Sequence, residues 1–274
     1  MKQILRYQED RRSLALVACV FSFQLGCLNL EVSQVSWWIV VILALGLGFG
    51  CYICHCINHN FIHLPLFVNA QYNKIFSILL GITQGLPPTS LIVTHNLKHH
   101  KHVTKTTDWF HHSKAGHGPG ILRLIRYVVI TWKLIGSERK NDESVKLTLN
   151  QSRQERIEII ALIIYSLIAI YFNPKCFVLI IFPAWMIASF CITAINLIQH
   201  DGCAEGEEYA HSRNYVSDLG NWFFFNGGYH GAHHNRPGLH WSELPSYHRQ
   251  ISHHIPQELN TRSLIYTVFT KYIL

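Results

Sequence analysis

Charge is scarce in this chain. Only 14% of its 274 residues are Asp, Glu, Lys or Arg, against the roughly 25% usual for soluble domains. The shortage is local. Four apolar runs, 14–30, 37–54, 157–172 and 176–198, share a single charged residue, Glu158, and each approaches the roughly 20 residues that cross a bilayer. An ordinary soluble globule is excluded, and a multi-pass membrane protein is expected. No small-residue cleavage site follows the first run, and the second begins after a short connector, so the pair reads as a retained signal anchor opening a hairpin.

Other absences narrow the field. The eight cysteines do not form a disulfide framework. Most (Cys19, Cys27, Cys51, Cys54, Cys176 and Cys191) lie in or beside the apolar runs, where free Cys behaves as a small hydrophobe. Cys54 and Cys56 stand too close for a zinc pair. No helix-turn-helix or aromatic RNA-binding pattern accompanies the net charge of +7, so nucleic acid is not an expected partner. Repeats and low-complexity tracts are absent, and 1–274 reads as one domain.

The basic residues serve topology. The connector 31–36 carries no Lys or Arg, and the connector 173–175 carries one. By the charge rule those turns face outward, and both termini and the long middle segment are cytoplasmic. The stretch 75–94 is long enough to suggest a further span. Gly81, Gly85, Pro87 and Pro88 interrupt it, however, and a crossing would reverse the charge rule, so it reads as a membrane-dipping hairpin. The stretch 121–135, with Arg123, Arg126 and Lys133 among apolar residues, reads as an interfacial amphipathic helix. The expected fold is an all-α integral membrane protein. It has four transmembrane helices, the hairpin, and a cytoplasmic helical cap carrying the chain's histidines.

Those histidines are what the chain has in excess. All 19 follow the second apolar run, and none lies in mid-run, as expected of a group costly to place in lipid. They cluster in "HCINHNFIH" (His55, His59, His63), "HNLKHH" (His95, His99, His100), "NLIQH" (Asn196, His200) and "HGAHH" (His230, His233, His234). Spacings of three and four put side chains on one helix face, and the topology brings all four groups to one side of the membrane. Nine or more imidazoles exceed the four ligands of one zinc and suit two metals of higher coordination number. Ligand type alone leaves zinc, copper, iron and nickel open. A carboxylate di-iron bundle would need paired Glu-x-x-His motifs, and only Glu208-x-x-His211 occurs. HExxH is absent, which argues against a zinc protease. A metal transporter would place polar ligands within the spans, where only Gln24 and Asn29 are notable. His102, His111, His112, His117, His248, His253 and His254 read as helix caps, partners of backbone carbonyls or solvated side chains. His211 and His240 are left between the two classes.

These groups resemble the histidine boxes of the membrane-bound fatty acid desaturase and hydroxylase superfamily. The resemblance runs from about His55 to Tyr247. It is carried by "HNFIHLPLF", "GLPPTSLIVTHNLKHH" and "HSRNYVSDLGNWFFFNGGYHGAHHNRPGLHWSELP", the last being most similar to bacterial-type fatty acid desaturases. It implies nine ligands, His59, His63, His95, His99, His100, His200, His230, His233 and His234, for two iron ions. Asn196 would reach the metal through water, and His55 with His59 is the competing register of the first box. Phe61 departs from relatives with a further histidine there.

The resemblance also implies an O2-dependent reaction on an unactivated alkyl carbon. Either a fatty-acyl chain is desaturated, or a lipid is hydroxylated or converted to a ketone on the same scaffold. No catalytic residue beyond the metal centre is implied. With no cytochrome b5 signature at either end, electrons would come from an external ferredoxin-like protein, steered by Lys98, Lys101, Lys105, Arg123 and Arg126. Asp108, Asp201, Asn214 and Asp218 are candidate acceptors of histidine N–H bonds. Trp109, Trp222, Phe223–Phe225 and Trp241 are candidate tunnel walls.

Overall fold

The computed structural model describes residues 3–103 and 105–274. The principal helices are α1 (Arg11–Leu28), α2 (Trp37–His63), α3 (Ala70–Gln84), α4 (Gly120–Glu138), α5 (Leu149–Phe172), α6 (Phe182–His200), α7 (Asp218–Phe223), α8 (His230–Asn235) and α9 (Leu244–Ile251). The expectation of an all-α chain needs one small correction. Strands β1 (Asn214–Tyr215) and β2 (Asn260–Thr261) pair in parallel, Asn214 opposite Asn260 and Tyr215 opposite Thr261.

Among the described residues, three helices are long and apolar enough to cross a membrane: Gln8–Leu28, Trp37–His63 and Pro174–His200. A bent pair, Ala70–Gln84 and Pro88–His102, makes a fourth if counted as one span. The expected crossing at 157–172 lies within α5 but is not among them. Arg153, Glu155, Arg156 and Glu158 occupy the first half of that helix and lower the apolar character of any stretch of bilayer length within it. The second helix runs past residue 54 to His63, because its histidines continue the helical spacing instead of ending it.

The chain divides into two compact units. Unit 1 holds 3–92 and 147–191 and is assembled from apolar helices. Several of its buried polar groups are closed within the protein, which lowers their cost where water is absent. Gln24, fully buried on α1, donates to Tyr165 Oη (2.8 Å) and accepts from the Trp185 indole (3.3 Å). Glu158 accepts from Ser77 Oγ (2.6 Å) and from Thr89 N and Oγ1 (both 2.9 Å), and so holds the N-terminus of the short helix Pro88–Leu91. Asn173 donates to Leu28 and Leu30 carbonyls (3.1 and 2.8 Å) and ties the turn before α6 to the end of α1.

The hairpin is broken where expected, with a bend of 88° between its arms. Gly85 ends α3 in the left-handed region (φ 75°), and a Cβ there would sit 2.2 Å from Trp185 Cγ. Only glycine meets both demands. Gly81 does not break the helix. It lies buried inside α3, where a Cβ would meet Pro88 Cδ at 2.9 Å.

Unit 2 holds 93–146, less the undescribed Thr104, and 192–274. Helix α4 buries Leu124, Tyr127, Val128 and Thr131 and leaves Ile121, Leu122, Ile125 and Val129 exposed, as expected of an interfacial helix. Its Arg123 pairs with Asp201 (2.8 Å), whose other carboxylate oxygen accepts from Tyr272 (2.8 Å). Trp109 is buried with its indole N–H on Glu138 (2.8 Å). Its role is packing, not a tunnel wall.

Candidate metal centre

The second histidine group sits on an unusual turn. Residues Ile92–His99 form a π-helix, a rare i→i+5 conformation that recurs at functional sites. The wider turn lets residues four and five apart share a face. His95 and His100 accordingly bring their Nε2 atoms to 3.0 Å, and His100 Nε2 lies another 3.0 Å from His233 Nε2.

The third group sits on α8, which the short sheet positions. Asn214 in β1 accepts from Gly231 N (2.8 Å). Asn221 donates to Tyr215 O (2.7 Å) and accepts from Gly228 N (3.0 Å). A Cβ on Gly228 would lie 2.2 Å from Tyr215 O, so the strand and this turn can close only on glycine. Just before it, Phe225 and Asn226 hold positive φ (52° and 59°). That is costly for a bulky residue and characteristic of sites whose surroundings over-determine the backbone. Phe225 is fully buried, edge-on to Trp241 (5.0 Å).

His99, His200, His230 and His234 converge. One ring nitrogen of each lies within 4.8 Å of the others, and neighbouring Nε2 atoms are 2.9–3.2 Å apart. Two nitrogens bound side by side on one metal at about 2.1 Å stand about 3 Å apart. The spacing is that of ligands around an ion, not of rings packed for their own sake.

The far sides of two rings are held. His99 Nδ1 lies 2.7 Å from Asp108 Oδ2, and His200 Nδ1 lies 2.8 Å from the His211 carbonyl. Such partners fix ring and tautomer and leave Nε2 as the free lone pair. Burial pushes the Asp108 carboxyl up, but the charge and hydrogen bond of His99 outweigh it and hold the group below its ordinary value. Burial, reinforced by His230 and His100, holds His234 well below the ordinary imidazole value. It is therefore neutral and able to act as a ligand.

Asn196 is also present. Its Nδ2 lies 3.2 Å from His99 Nε2, and the Tyr127 hydroxyl lies between its Oδ1 (3.1 Å) and Phe110 O (2.7 Å), which share the one hydroxyl proton. In unit 1, His59 and His63 stand on the last turns of α2 with ring centroids 5.3 Å apart. His55 is fully buried one turn earlier, and neither of its ring nitrogens has a hydrogen-bond partner among the described residues.

The remaining expectations divide. Of the four candidate acceptors, Asp108 meets a histidine. Asp201 serves Arg123, Asn214 serves the Gly231 backbone, and Asp218 lies in the first turn of α7. Glu208 accepts from Asn235 (2.7 Å), so its spacing to His211 makes no di-carboxylate motif. Lys98 is buried, paired with Asp142 (2.5 Å) and stacked over Trp109 (4.9 Å). It presents no charge to a partner. His240 caps a short helix through Ser242 N. The structural use of the His211 carbonyl and of Tyr127 had no signal in the sequence.

A family model described as "Fatty acid desaturase" matches residues 36–264, most of the chain and every histidine group. The chain belongs to the fatty acid desaturase family. No curated protein matches it. Family membership makes it a membrane-associated, lipid-modifying, oxygen-dependent oxidoreductase. The family generally uses two irons, and the convergent, all-nitrogen donor set in unit 2 fits such a centre.

Proposed function

We propose that this family member is an O2-dependent di-iron desaturase that introduces a double bond into a fatty-acyl chain. The observation that carries the reading is the convergence of His99, His200, His230 and His234 through Nε2, with Asp108 and a backbone carbonyl behind two of the rings. We assign these four to one iron and His95, His100 and His233 to the second. His59 and His63 join as ligands on the family resemblance.

The bound irons would supply oxygen activation and hydrogen removal from an unactivated carbon. The chain's own contributions are orientation and exclusion of water. Asp108 keeps the Nδ1 proton on His99 and the ring in place. Tyr127 holds Asn196 beside that ring, and buried Phe225 and Trp241 keep the approach to α8 apolar.

The whole of 1–274 is assigned to one functional domain. Both termini and the histidine groups are placed on the cytoplasmic side by the Lys and Arg distribution. Helix α5 is assigned as a further crossing because Ile160, Ile163, Leu167 and Tyr171 leave its second half apolar and exposed. Electrons are assigned to a separate ferredoxin-like protein.

The test is mass spectrometry of lipids from a host expressing the chain with an electron donor. A loss of two hydrogens from an acyl chain supports desaturation. A gain of oxygen selects the hydroxylase or ketolase chemistry, and neither product from iron-loaded protein overturns both.

A further inference from the structure

Unit 2 contains another set of ligand-type side chains outside the nine histidines. His111, His112 and Glu205 each offer one ligand atom, and these atoms all lie within 4.8 Å of one another. They come from two separate segments: the turn that follows Asp108, and the loop that follows α6. Adjacent side chains usually diverge, yet the His111 and His112 rings stack with centroids 4.5 Å apart and planes 24° apart. Something holds both rings to one side.

The state of His111 points to what that is. Only 4% of the residue is exposed. Its Nδ1 accepts from the Ser113 backbone N–H (3.3 Å) and lies 2.8 Å from Ser113 Oγ, which fixes the ring with Nε2 turned toward the loop of Glu205. That buried Nε2 has no hydrogen-bond partner among the described residues. It approaches Glu205 Oε1 at 3.0 Å without hydrogen-bond alignment. A buried nitrogen left unbonded is costly, and a divalent cation that displaces its proton to solvent would be shared between it and the carboxylate. His112 Nε2 stands 3.8 Å from the same oxygen, on the solvent side.

Two imidazoles and a carboxylate with an open fourth position form a donor set for a borderline divalent metal. The three residues also line one open cleft whose wall includes His99, Asp108 and His200.

We propose that His111, His112 and Glu205 bind one divalent transition-metal ion, distinct from the two irons, at the outer end of a cleft that reaches the backs of the iron ligands. The site does not depend on which lipid reaction the chain performs.

The experiment uses the full chain, purified in detergent with its iron in place, and Zn2+ as the probe. After titration and desalting, zinc and iron are counted by mass spectrometry in wild type and in the double variant Glu205→Gln/His112→Ala. Both changes fall on partly exposed side chains. The wild type should retain one zinc per chain beyond its iron. The variant should lose it, with affinity weaker by at least about tenfold, the range that loss of even an outer partner produces. Iron content should be equal in both. Co2+ in place of Zn2+ should give a visible absorption band in the wild type that the variant lacks. No retained zinc in the wild type, or equal retention by the variant, overturns the site and leaves His111 and Glu205 as an ion pair only. The iron count before titration reports on the di-iron reading alone, so the two can fail separately.

Discussion

Unit 1 and unit 2 bury polar side chains to opposite ends. In unit 1 the buried Gln24 and Glu158 are consumed by their neighbours. They spend their hydrogen-bonding capacity on a tyrosine, an indole, two hydroxyls and a backbone amide. In unit 2 the partners stand behind the functional atom. Asp108 and the His211 carbonyl hold the Nδ1 side, and the Nε2 atoms are turned toward one another. The same cost of burial produces closure in one unit and a set of inward lone pairs in the other. The difference lies in where the partner sits on the ring, not in how many partners there are.

Removing a converging nitrogen should have the largest effect. His99→Ala or His230→Ala should abolish iron retention and turnover while expression and membrane insertion persist, as metal analysis beside a membrane-fraction blot would show. Breaking the support and sparing the ligand should cost less. Asp108→Asn removes the carboxylate behind His99 and should lower iron affinity by about 10–100-fold, measured by competition with a chelator. If its iron affinity matched that of wild type, Asp108 would have no positioning role.

Unit 1 has its own weak point. Gly85→Ala must place a Cβ inside the Trp185 ring while holding a left-handed φ. It should destabilise the protein by about 3–5 kcal/mol, read as a fall in the detergent unfolding midpoint. Neither Gly85 nor Trp185 is among the proposed ligands, so any folded fraction should still hold metal.

Two smaller effects sharpen the comparison at the surface. Of the basic residues near the second group, Lys101 and Lys105 are exposed, whereas Lys98 is buried against Asp142 and Arg123 is paired with Asp201. Reversing Lys101 and Lys105 to Glu should raise the donor concentration for half-maximal turnover by about threefold and flatten its salt dependence, with iron unchanged. His253→Ala, which removes a ring tilted against His254 (centroids 3.9 Å apart), should shift stability by less than about 0.5 kcal/mol. A loss of iron in that variant would break the division between converging and peripheral histidines.

Much was legible in the sequence because its signals are local. An apolar run of bilayer length, a Gly-Leu-Pro-Pro break and imidazoles spaced by three or four are each contained in one short stretch, and backbone geometry turns them into spans, a bend and a shared face. The sequence by itself therefore determined that this is a helical membrane protein with grouped histidines. Only the tertiary structure decided which acid meets which base. Asp108 and Asp201 are equally plausible partners in the sequence, yet one faces His99 and the other Arg123. Lys98 belongs to a basic stretch and is nonetheless buried, and His111 meets a glutamate from a distant loop. Pairings of this kind depend on where separate segments pack, and a side chain's charge or spacing along its own helix carries no record of that.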